Sequence, residues 1–405
     1  MVKEKLLRIT NELIKFVKTL EITPLLKLHC LNLQMRAKLS FDMAQCETGM
    51  TWVKNNLDTL VNNFTRNLLS LPPCATVNHL SLPLKQLGLD ITLPSMLFEQ
   101  SQTGTRLTLL QSRDPTMIKL YEHTRIPAID SLIQASQTRK QNQQRLKTDQ
   151  QLQSKAKLDK LVDQNLLINS VVNNVSQKEI ESWGTHLAFI TPSIASFAHR
   201  GLVRCLPTRA NLQRWSKSST DTCPNCTQRE TDRHILNNCP TAATEGRYTW
   251  RHNAILKEIL SVIQPRLQDG STLFADIEGY RNTSELFDSL RPDVAILYKD
   301  SVEVLELTCC HELNLEASRV LKQTKYSDLR LVDTSNKKLH VHTLEVTSLG
   351  FVASKDFIKF CNSAHLADMP HYLTRRLGEM ALRCSYFIFC CRHKPWGNDV
   401  TVPCF

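Results

Sequence analysis

The chain has 405 residues, of which 41% are hydrophobic, and its 50 Lys and Arg outnumber its 39 Asp and Glu, for a net charge of +11. This length and apolar content exclude a disordered chain and predict a globular protein of about two to four domains. The positive charge favours a polyanionic partner, and nucleic acid is the first candidate. No apolar run reaches the roughly 18 residues that a bilayer span requires, so we expect no membrane partner.

The 14 cysteines of the chain have to be interpreted according to their redox environment. The opening stretch MVKEKLLRITNELIKFVKTL is amphipathic and lacks the features of a secretory signal. We therefore expect a reducing compartment, in which clustered Cys and His bind metal and scattered Cys are small buried apolar residues. With nucleic acid as the partner, the expected location is the nucleus, or both nucleus and cytoplasm.

The first 200 residues are predicted to be helical. Residues 1–95 are expected to form short helices that end in the proline-rich stretch SLPPCATVNHLSLPLKQLGL. Residues 96–200 show no strand alternation, and 136–160 contain seven Lys or Arg, two Asp and seven Gln. This composition predicts a long exposed helix within a basic helical linker. The apolar residues expected to pack on the next element are Leu158, Leu161, Val162 and Leu166.

A compact Cys- and His-rich segment, CPNCTQRETDRHILNNC, lies within residues 201–245; we call it the knuckle. Zinc binds four Cys or His ligands in a tetrahedron, and four protein ligands leave no position for a reactive water. The segment therefore predicts a structural zinc site. The alternative is two buried cysteines, a surface histidine and an unrelated third cysteine, which the compact spacing disfavours. The predicted zinc ligands are Cys223, Cys226, His234 and Cys239.

Basic residues and one tryptophan precede the knuckle in the stretch HRGLVRCLPTRANLQRWSKSS. Basic side chains can neutralise phosphates, and an aromatic ring among them can stack on a base. The alternative is a solvated basic face whose tryptophan packs on the knuckle. The candidate nucleic-acid-binding residues are Arg200, Arg204, Arg209, Arg214, Trp215 and Lys217.

From about residue 285 the hydrophobic pattern has the period of two that is typical of strands, with helical segments between them. The predicted fold class is α+β and multidomain: a helical N-terminal half, a zinc knuckle, and a mixed α/β domain over residues 246–405. The predicted strands are PDVAILY, VEVLELT and LHVHTLEVTSLGFV. The predicted helices are NLEASRVLKQTKYSDL, ASKDFIKFCNSAHLA and PHYLTRRLGEMALRCSYFIF.

Two acids, Asp293 and Glu306, lie on the first two of these strands, and YKDS between the strands is typical of a hairpin turn. Strand alternation places Asp293 on one face with Ala295, and it places Glu306 on one face with apolar neighbours. A carboxylate on an apolar face costs free energy unless it is paired, and two such carboxylates can bind a divalent ion. Glu303 is excluded because alternation turns it to the opposite face. The alternative is a solvated or ion-paired couple without a catalytic role.

The helix after the second strand carries Lys322 and Lys325 on one face, followed by Tyr326, with Asn314 as a candidate N-cap. A Mg²⁺ or Mn²⁺ ion held by the acids would lower the pKa of a bound water and polarise a phosphate. A lysine ammonium beside the ion would stabilise charge that develops on the phosphate. This combination of groups predicts phosphodiester hydrolysis.

Taken in order, these motifs resemble the C-terminal part of non-LTR retrotransposon proteins that carry a restriction-like endonuclease. The knuckle is similar to the CCHC knuckle of that family. RPD, followed thirteen residues later by ELT, is similar to the family's variant of the PD-(D/E)xK nuclease motif. LKQTKYSDL resembles the helix that carries the family's migrated lysine and the tyrosine after it.

Further stretches extend the resemblance over most of the chain. VTSLGFV and ALRCSYFIF are similar to the end of the endonuclease domain. WVKNNLDTLVNNFTRNLLSLPPCAT and LSLPLKQLGL resemble the thumb that closes a reverse transcriptase. The implied segments are a thumb-like remnant (1–95), a basic helical linker (96–200), the knuckle with its basic flank (201–245) and the endonuclease domain (246–405).

The resemblance implies that Asp293 and Glu306 bind the catalytic metal and that the enzyme nicks double-stranded target DNA. Lys322 or Lys325 would be the catalytic lysine, and both remain candidates, with Lys322 preferred. The usual PD-(D/E)xK pattern has a lysine two residues after the second acid. This chain has Thr308 at that position, so the lysine must come from the helix.

The chain contains no Tyr-x-Asp-Asp or similar paired-aspartate motif, so polymerase activity is not expected. The resemblance then implies the truncated tail of a longer element, either a decayed copy or a reading frame retained by a host. The predicted function is a metal-dependent endonuclease that grips duplex DNA, with RNA as a further candidate, and needs no small-molecule cofactor. One alternative is a nucleic-acid-binding remnant without nuclease activity. The other is a protein–protein scaffold built on residues 136–168.

Overall fold

The computed structural model describes residues 2–124, 126–287, 290–332, 337–366 and 370–397. The chain divides into two compact units. The first comprises Met1–Val162 and Ala188–Ala195, and the second comprises Asp163–Leu187 and Ser196–Phe405. The segments expected to form a thumb-like remnant and most of the linker fall in the first unit, and the knuckle falls in the second unit with the sheet. The predicted combination of a helical N-terminal half with a mixed α/β C-terminal region is confirmed.

Helices account for most of the chain. Those up to residue 159 are α1 (Val2–Thr19), α2 (Pro24–Gln45), α3 (Met50–Val53), α4 (Thr59–Leu68), α5 (Pro94–Leu110), α6 (Pro115–His123), α7 (Pro127–Asp130) and α8 (Arg139–Asp159). The later ones are α9 (Val162–Asn174), α10 (Gln177–Leu187), α11 (Pro192–Leu202), α12 (Arg209–Arg214), α13 (Pro240–Thr244), α14 (Arg247–Ile263), α15 (Leu315–Lys325), α16 (Lys355–Ser363) and α17 (Pro370–Cys390). Among the described helices, none combines the length and apolar character needed to cross a membrane.

The first helices are longer than the sequence suggested. α1 has 18 residues and α2 has 22, so the prediction of short helices over residues 1–95 is wrong there. α2 begins at Pro24, whose fixed φ suits the first helical position, and it buries an apolar stripe at helical spacing. The stripe consists of Leu28, Leu31, Met35, Leu39 and Met43.

The predicted basic helix is present as α8, which has 21 residues. It begins at a capping box in which the Thr138 hydroxyl and the Gln141 side chain satisfy each other's backbone amides. Leu146 and Leu158 are buried along it, and most of its basic residues are exposed. α8 ends at Asp159, so the predicted apolar continuation is divided between α8 and α9. Leu158 is buried, but Leu161 and Leu166 are exposed, so the prediction that these two pack on the next element is wrong. The side chain of Val162 lies outside the described residues.

The sheet of the second unit has five strands in the order β1 to β5: β1 (Thr272–Ala275), β2 (Val294–Leu297), β3 (Ser301–Cys310), β4 (Lys338–Thr347) and β5 (Val352–Ala353). Neighbouring strands are antiparallel except β3 and β4, which are parallel and are connected through α15. β2 and β3 form the hairpin predicted from YKDS.

Two details of the sheet differ from the sequence prediction. β1 was not predicted, because its four residues form an isolated apolar run, whereas the four residues of β2 belong to the longer run PDVAILY. The stretch predicted as one strand, LHVHTLEVTSLGFV, forms both β4 and β5, with a turn at Gly350. Gly350 has φ +85° and lies against the backbone of Gly378, so a side chain would not fit at this position.

The two faces of the sheet carry different cores. Val294, Ile296, Leu305 and Leu307 pack against α14, α16 and α17. The opposite face, toward α15, packs Ala295, Val302 and Val304 with Phe274, Phe287, Tyr326 and Leu329. Asp293 and Glu306 belong to the α15 face by alternation, as predicted.

Candidate metal centre and active site

The knuckle folds so that its four predicted zinc ligands converge. Their ligand atoms all lie within 4.8 Å of one another: Cys223, Cys226, His234 and Cys239. A tight turn brings the first two thiols together, because the Cys223 amide donates to Gln228 O (2.7 Å) and the Thr227 amide donates to Cys223 O (3.0 Å). A π-helical turn, His234–Asn238, then delivers the other two ligands.

The spacing of the ligand atoms fits a tetrahedral zinc ion. Two thiolates about 2.3 Å from zinc at a tetrahedral angle lie about 3.8 Å apart, and a thiolate and an imidazole nitrogen lie about 3.5 Å apart. In the knuckle, Cys226 Sγ lies 3.8 Å from Cys239 Sγ and 3.3 Å from His234 Nε2. The cluster can therefore hold a metal ion, and its donor set is consistent with zinc.

Burial determines the protonation states of the ligands when no metal is bound. Burial raises the pKa of the Cys223 thiol to about 11, and burial raises the pKa of Cys239 in the same direction. Burial lowers the pKa of His234, which keeps the imidazole in the neutral form that binds metals. Binding of a metal must therefore displace protons from the thiols.

The knuckle is joined to the rest of the second unit by buried polar contacts. The Tyr248 hydroxyl on α14 accepts from the Cys239 amide (2.9 Å) and lies 3.0 Å from Ile235 O, to which it can donate. Glu230, which is fully buried, binds His393 Nε2 at 2.5 Å. A change in the conformation of the knuckle should therefore change the contacts of α14.

The β2–β3 hairpin brings the two predicted acids side by side. Its register pairs Val294 with Leu305, so that Asp293 stands opposite Glu306. The Asp293 amide donates to Glu306 Oε2 (3.3 Å), and the Leu307 amide donates to Asp293 Oδ2 (2.7 Å). The exposed fractions of the two side chains are 13% for Asp293 and 4% for Glu306. Two nearly buried carboxylates therefore share one small region.

Of the two candidate lysines, Lys322 is the one that contacts an acid: its Nζ forms an ion pair with Glu306 Oε1. Lys325 Nζ instead donates to the Tyr326 hydroxyl (3.1 Å). That hydroxyl lies 3.1 Å from Arg291 O and also within hydrogen-bonding reach of Glu306. The structure thus places Lys322 against the acids and Lys325 one contact away.

The prediction that the Asn314 side chain caps α15 is wrong. Asn314 occupies the N-cap position, but its side chain makes no capping hydrogen bond. His311 acts one turn earlier, where its Nδ1 accepts from the Leu313 amide (3.2 Å). A 3₁₀ turn, Glu312–Asn314, precedes the helix, so the cap lies before that turn.

The electrostatics of the acid pair indicate a shortage of positive charge. Burial and the neighbouring Asp293 raise the pKa of Glu306, although Lys322 and Tyr326 act in the opposite direction. Burial and the nearby carboxylates also raise the pKa of Tyr326, which keeps its phenol protonated. A divalent cation bound by hard carboxylate oxygens would relieve this repulsion.

His252 was not predicted as a site residue; it lies on α14 with its Nε2 3.2 Å from Asp293 Oδ1. Burial lowers the pKa of His252, but the hydrogen bond to Asp293 and the charges of Asp293 and Glu306 outweigh it, so the pKa is raised. The only signal in the sequence is the adjacent pair Arg251–His252 in the first half of α14, a helix that carries other polar residues as well. That signal does not say which acid the histidine faces.

Asp276 lines a polar cleft of about 430 Å³. It is connected to the pair through Asp276, whose amide donates to Asp293 O (3.0 Å). Asn282 Nδ2 donates to Asp276 Oδ1 at 3.1 Å. The residues that line the cleft are Asn253, Lys257, Asp276, Ile277, Glu278, Tyr280 and Asn282.

Glu303 lies on the opposite face, as alternation predicts, in a separate cluster. Its carboxylate binds His340 Nδ1 (2.7 Å) and His342 Nε2 (3.3 Å), and it accepts from Ser363 Oγ (2.7 Å). Burial raises the pKa of Glu303, but these three partners outweigh burial and lower it to about 2. Glu303 is therefore a fully partnered carboxylate.

The basic flank divides into engaged and exposed residues. Arg204 binds Asp232 at 3.2 Å, Arg200 Nε donates to Cys205 O (3.2 Å), and Arg209 Nη1 donates to Thr222 O (3.4 Å). Trp215 is half-buried, whereas Arg214 and Lys217 are exposed. The exposed residues of the predicted set are therefore Arg214 and Lys217.

The chain matches no protein-family model, and no curated protein gives a significant match. The likeness to retrotransposon proteins therefore depends on the motifs in the sequence.

Proposed function

We propose that the second unit is a divalent-metal-dependent DNA endonuclease of the PD-(D/E)xK type. The observation that carries the proposal is the meeting of Asp293 and Glu306 across the β2–β3 hairpin, with Lys322 from α15 on Glu306. Two carboxylates that bind a metal and one ammonium group can together support metal-assisted hydrolysis of a phosphodiester. Three separate elements supply these groups to one place.

Asp293 and Glu306 fit Mg²⁺ or Mn²⁺ because they offer hard oxygen donors and lack full compensation of their charge. When bound, the ion would polarise the phosphate and lower the pKa of a coordinated water. Lys322 would neutralise charge on a non-bridging phosphate oxygen when it is released from Glu306. His252 orients Asp293 through the contact between Nε2 and Oδ1.

Tyr326 has a positioning role in this proposal. Its hydroxyl lies close to both Arg291 O and Glu306, so it ties the end of α15 to the residues that precede β2. Lys325 binds the same hydroxyl and supports it. We assign the catalytic lysine to Lys322, because Lys322 contacts Glu306 directly, whereas Lys325 contacts the Tyr326 hydroxyl.

The substrate we propose is double-stranded DNA. The net charge of +11 favours a polyanion, and Arg214 and Lys217 supply exposed cations beside the knuckle. The polar cleft beside Asp276 offers space for a nucleotide that flanks the cleaved phosphate. From the motif resemblance we further infer an origin in a non-LTR retrotransposon protein and action in the nucleus.

Nicking of supercoiled plasmid in Mg²⁺ or Mn²⁺ tests the proposal. We expect wild-type protein to relax the plasmid, and Asp293→Asn and Glu306→Gln to be inactive. Asp300→Asn is the matched control, because Asp300 is an exposed acid in the turn of the same hairpin. Equal nicking by the wild type and both acid variants would remove the assignment.

A second candidate function is a nucleic-acid-binding protein without nuclease activity. Lys322 forms an ion pair with Glu306 and His252 contacts Asp293, as in a structural ion-pair network. This candidate predicts salt-sensitive binding of duplex DNA with no nicking at any metal concentration. Gel-shift and nicking assays on the same preparation distinguish the two functions.

A further inference from the structure

Helix α15, which carries Lys322, has little apolar attachment to the sheet beneath it. Leu315, at its first position, is its one fully buried residue. Its other large aliphatic side chains are turned outward, and their exposed fractions are 51% for Val320 and 67% for Leu321. Hydrophobic burial therefore does not by itself fix where α15 lies.

Two ion pairs attach α15 to the sheet instead. Arg319 Nε lies 3.1 Å from Glu345 Oε2 on β4, and Lys322 binds Glu306 on β3. Arg319 and Lys322 are three residues apart, so they lie on the same side of the helix. Both glutamates are buried, with exposed fractions of 0% for Glu345 and 3% for Glu306. Between its two ends, where Leu315 and Tyr326 are buried, the helix is therefore held by two charged contacts about one turn apart.

The strand register places the two glutamates on the same face. β3 and β4 pair Glu306 with Thr343 and Thr308 with Glu345. By alternation these four residues point toward α15, and the glutamates occupy diagonal corners of the group. A shift of the helix along either strand would weaken both ion pairs together.

We propose that Arg319 and Glu345 are a positioning pair that holds α15 on the sheet and thereby sets the place of Lys322 beside the two acids. The anchoring stands on the contacts alone, and its catalytic consequence rests on the proposed nuclease function. Neither residue touches the acid pair in the described contacts. Their effect on the reaction is transmitted through the helix.

Arg319 is suited to this role because its guanidinium group has several partners. Its Nη1 donates to Asn174 Oδ1 on α9 (3.3 Å) and to Glu316 Oε2 (3.1 Å), in addition to the contact with Glu345. One side chain thus links α15, β4 and α9. A planar guanidinium group can bridge them, whereas a lysine ammonium would keep the charge but reach fewer partners.

Glu345 depends strongly on Arg319. Its Oε1 has no hydrogen-bond partner among the residues that the structure describes, and its Oε2 is bound by Arg319. Removal of Arg319 would leave a fully buried carboxylate without its cation, which is costly. The position of α15 and the burial of Glu345 are therefore linked.

Hydrogen exchange of the backbone amides of residues 315–325, followed by mass spectrometry on the full chain, measures the anchoring directly. We expect Arg319→Gln to accelerate exchange in α15 roughly tenfold or more, the amount expected for loss of a charge-assisted hydrogen bond. Arg319→Lys should give a smaller increase. Glu316→Gln is the matched control, because it removes the exposed partner of Arg319 and leaves the buried one.

The double variant Arg319→Gln/Glu345→Gln covers the case in which the single variant fails to fold. It removes the unpaired buried charge but does not restore the anchor, so α15 should still exchange faster than in the wild type. Unchanged exchange in a folded single or double variant would overturn the inference.

The catalytic consequence is measured as plasmid nicking by the same variants. A displacement of about 1 Å at Lys322 is expected to lower kcat about a hundredfold. KM for DNA should change little, because Arg319 is outside the proposed DNA contacts, and Arg319→Lys should recover part of kcat. A folded Arg319→Gln variant with wild-type kcat would refute the positioning role. If wild-type protein does not nick DNA, the nuclease proposal fails, and the exchange experiment still decides whether the pair anchors α15.

Discussion

The knuckle and the acid pair are both candidate metal sites, but they are built differently. The knuckle draws its four ligands from one segment of seventeen residues, and their mutual distances already fit zinc. The acid pair needs three elements, and in the structure its carboxylates contact Lys322 and His252. The knuckle completes its coordination site with residues of one segment. At the acid pair, a metal and a substrate would have to replace the existing contacts with Lys322 and His252.

We propose that this difference separates a site for folding from a site for chemistry. A closed set of soft ligands leaves no coordination position for a reactant, so a metal bound by the knuckle would only stabilise the fold. An open pair of hard ligands binds its metal weakly and leaves positions for water and phosphate. The two sites should therefore respond differently to chelators, mutations and pH.

Removal of zinc should have the largest effect. Zinc in small structural sites contributes an apparent binding free energy of about 10 kcal/mol or more, which becomes folding free energy when the free ligands are disordered. We expect about one zinc per chain, retained through dialysis, and we expect Cys226→Ala to lose it and to unfold the knuckle. Metal analysis and thermal unfolding measure both effects.

Cys390→Ser is the control for this experiment, since Cys390 is an exposed cysteine of the same unit outside the cluster. It should keep the zinc and the melting temperature of the wild type. A short treatment with EDTA should remove nicking activity reversibly and leave the zinc bound. Zinc retained by Cys226→Ala would contradict the four-ligand site.

Loss of nicking on replacement of Glu306 should be the next largest effect. Glu306→Gln removes a proposed metal ligand, and several kcal/mol of transition-state stabilisation correspond to about a thousandfold in rate. Glu303 is three residues away on the same strand and is equally buried, but it faces the other core. Glu303→Gln should keep nicking per folded molecule within about threefold while it lowers the free energy of unfolding by about 3 kcal/mol.

Plasmid nicking together with denaturant unfolding measures both variants. The comparison separates a buried acid that serves stability from one that serves chemistry. Equal losses of nicking in the two variants, corrected for the folded fraction, would remove the distinction between the faces of the sheet.

The pH dependence of stability should depend on Glu303. Its pKa is about 2 in the folded protein, compared with an ordinary value of 4.5, because two histidines and Ser363 bind the carboxylate. A carboxyl with a lowered folded pKa contributes stability that is complete above pH 4.5 and is lost as the pH falls toward 2. The contribution is about 3 kcal/mol.

Denaturant unfolding of the wild type and Glu303→Gln between pH 7 and pH 2 measures this contribution. The difference in unfolding free energy between the two proteins should be constant above about pH 5 and should shrink below it. A difference that is independent of pH would contradict the lowered pKa.

The sequence predicted those features that depend on local spacing. The Cys-x-x-Cys turn, the helix-forming composition of residues 136–160 and the alternation of β2 to β4 are all encoded within short windows, and the structure contains each of them. Alternation also assigned Glu303 and Glu306 to opposite faces, because the side-chain period of a strand is two. Local rules were sufficient for these elements.

The features that the sequence did not predict depend on contacts between distant segments. His252 and Asp293 are forty-one residues apart, and only the packing of α14 beside the hairpin brings them together. The same holds for Arg319 and Glu345, which meet because β4 lies parallel to β3 beneath α15. β1 and the turn between β4 and β5 were missed because an isolated four-residue run and a single glycine carry too little pattern.

The smallest predicted effect concerns the basic flank of the knuckle, where exposure distinguishes residues that composition cannot. Arg214 and Lys217 are exposed, whereas Arg204 is held by Asp232. If the exposed pair contacts phosphates, Arg214→Gln/Lys217→Gln should weaken duplex binding for all sequences and reduce the slope of log K against log salt by about 2. Arg8→Gln is the control, because it removes an exposed charge on α1, outside the proposed contacts. Fluorescence anisotropy at several salt concentrations measures these slopes. Equal slopes for the double variant and the wild type would show that the flank does not contact DNA. The knuckle would then have a purely structural role.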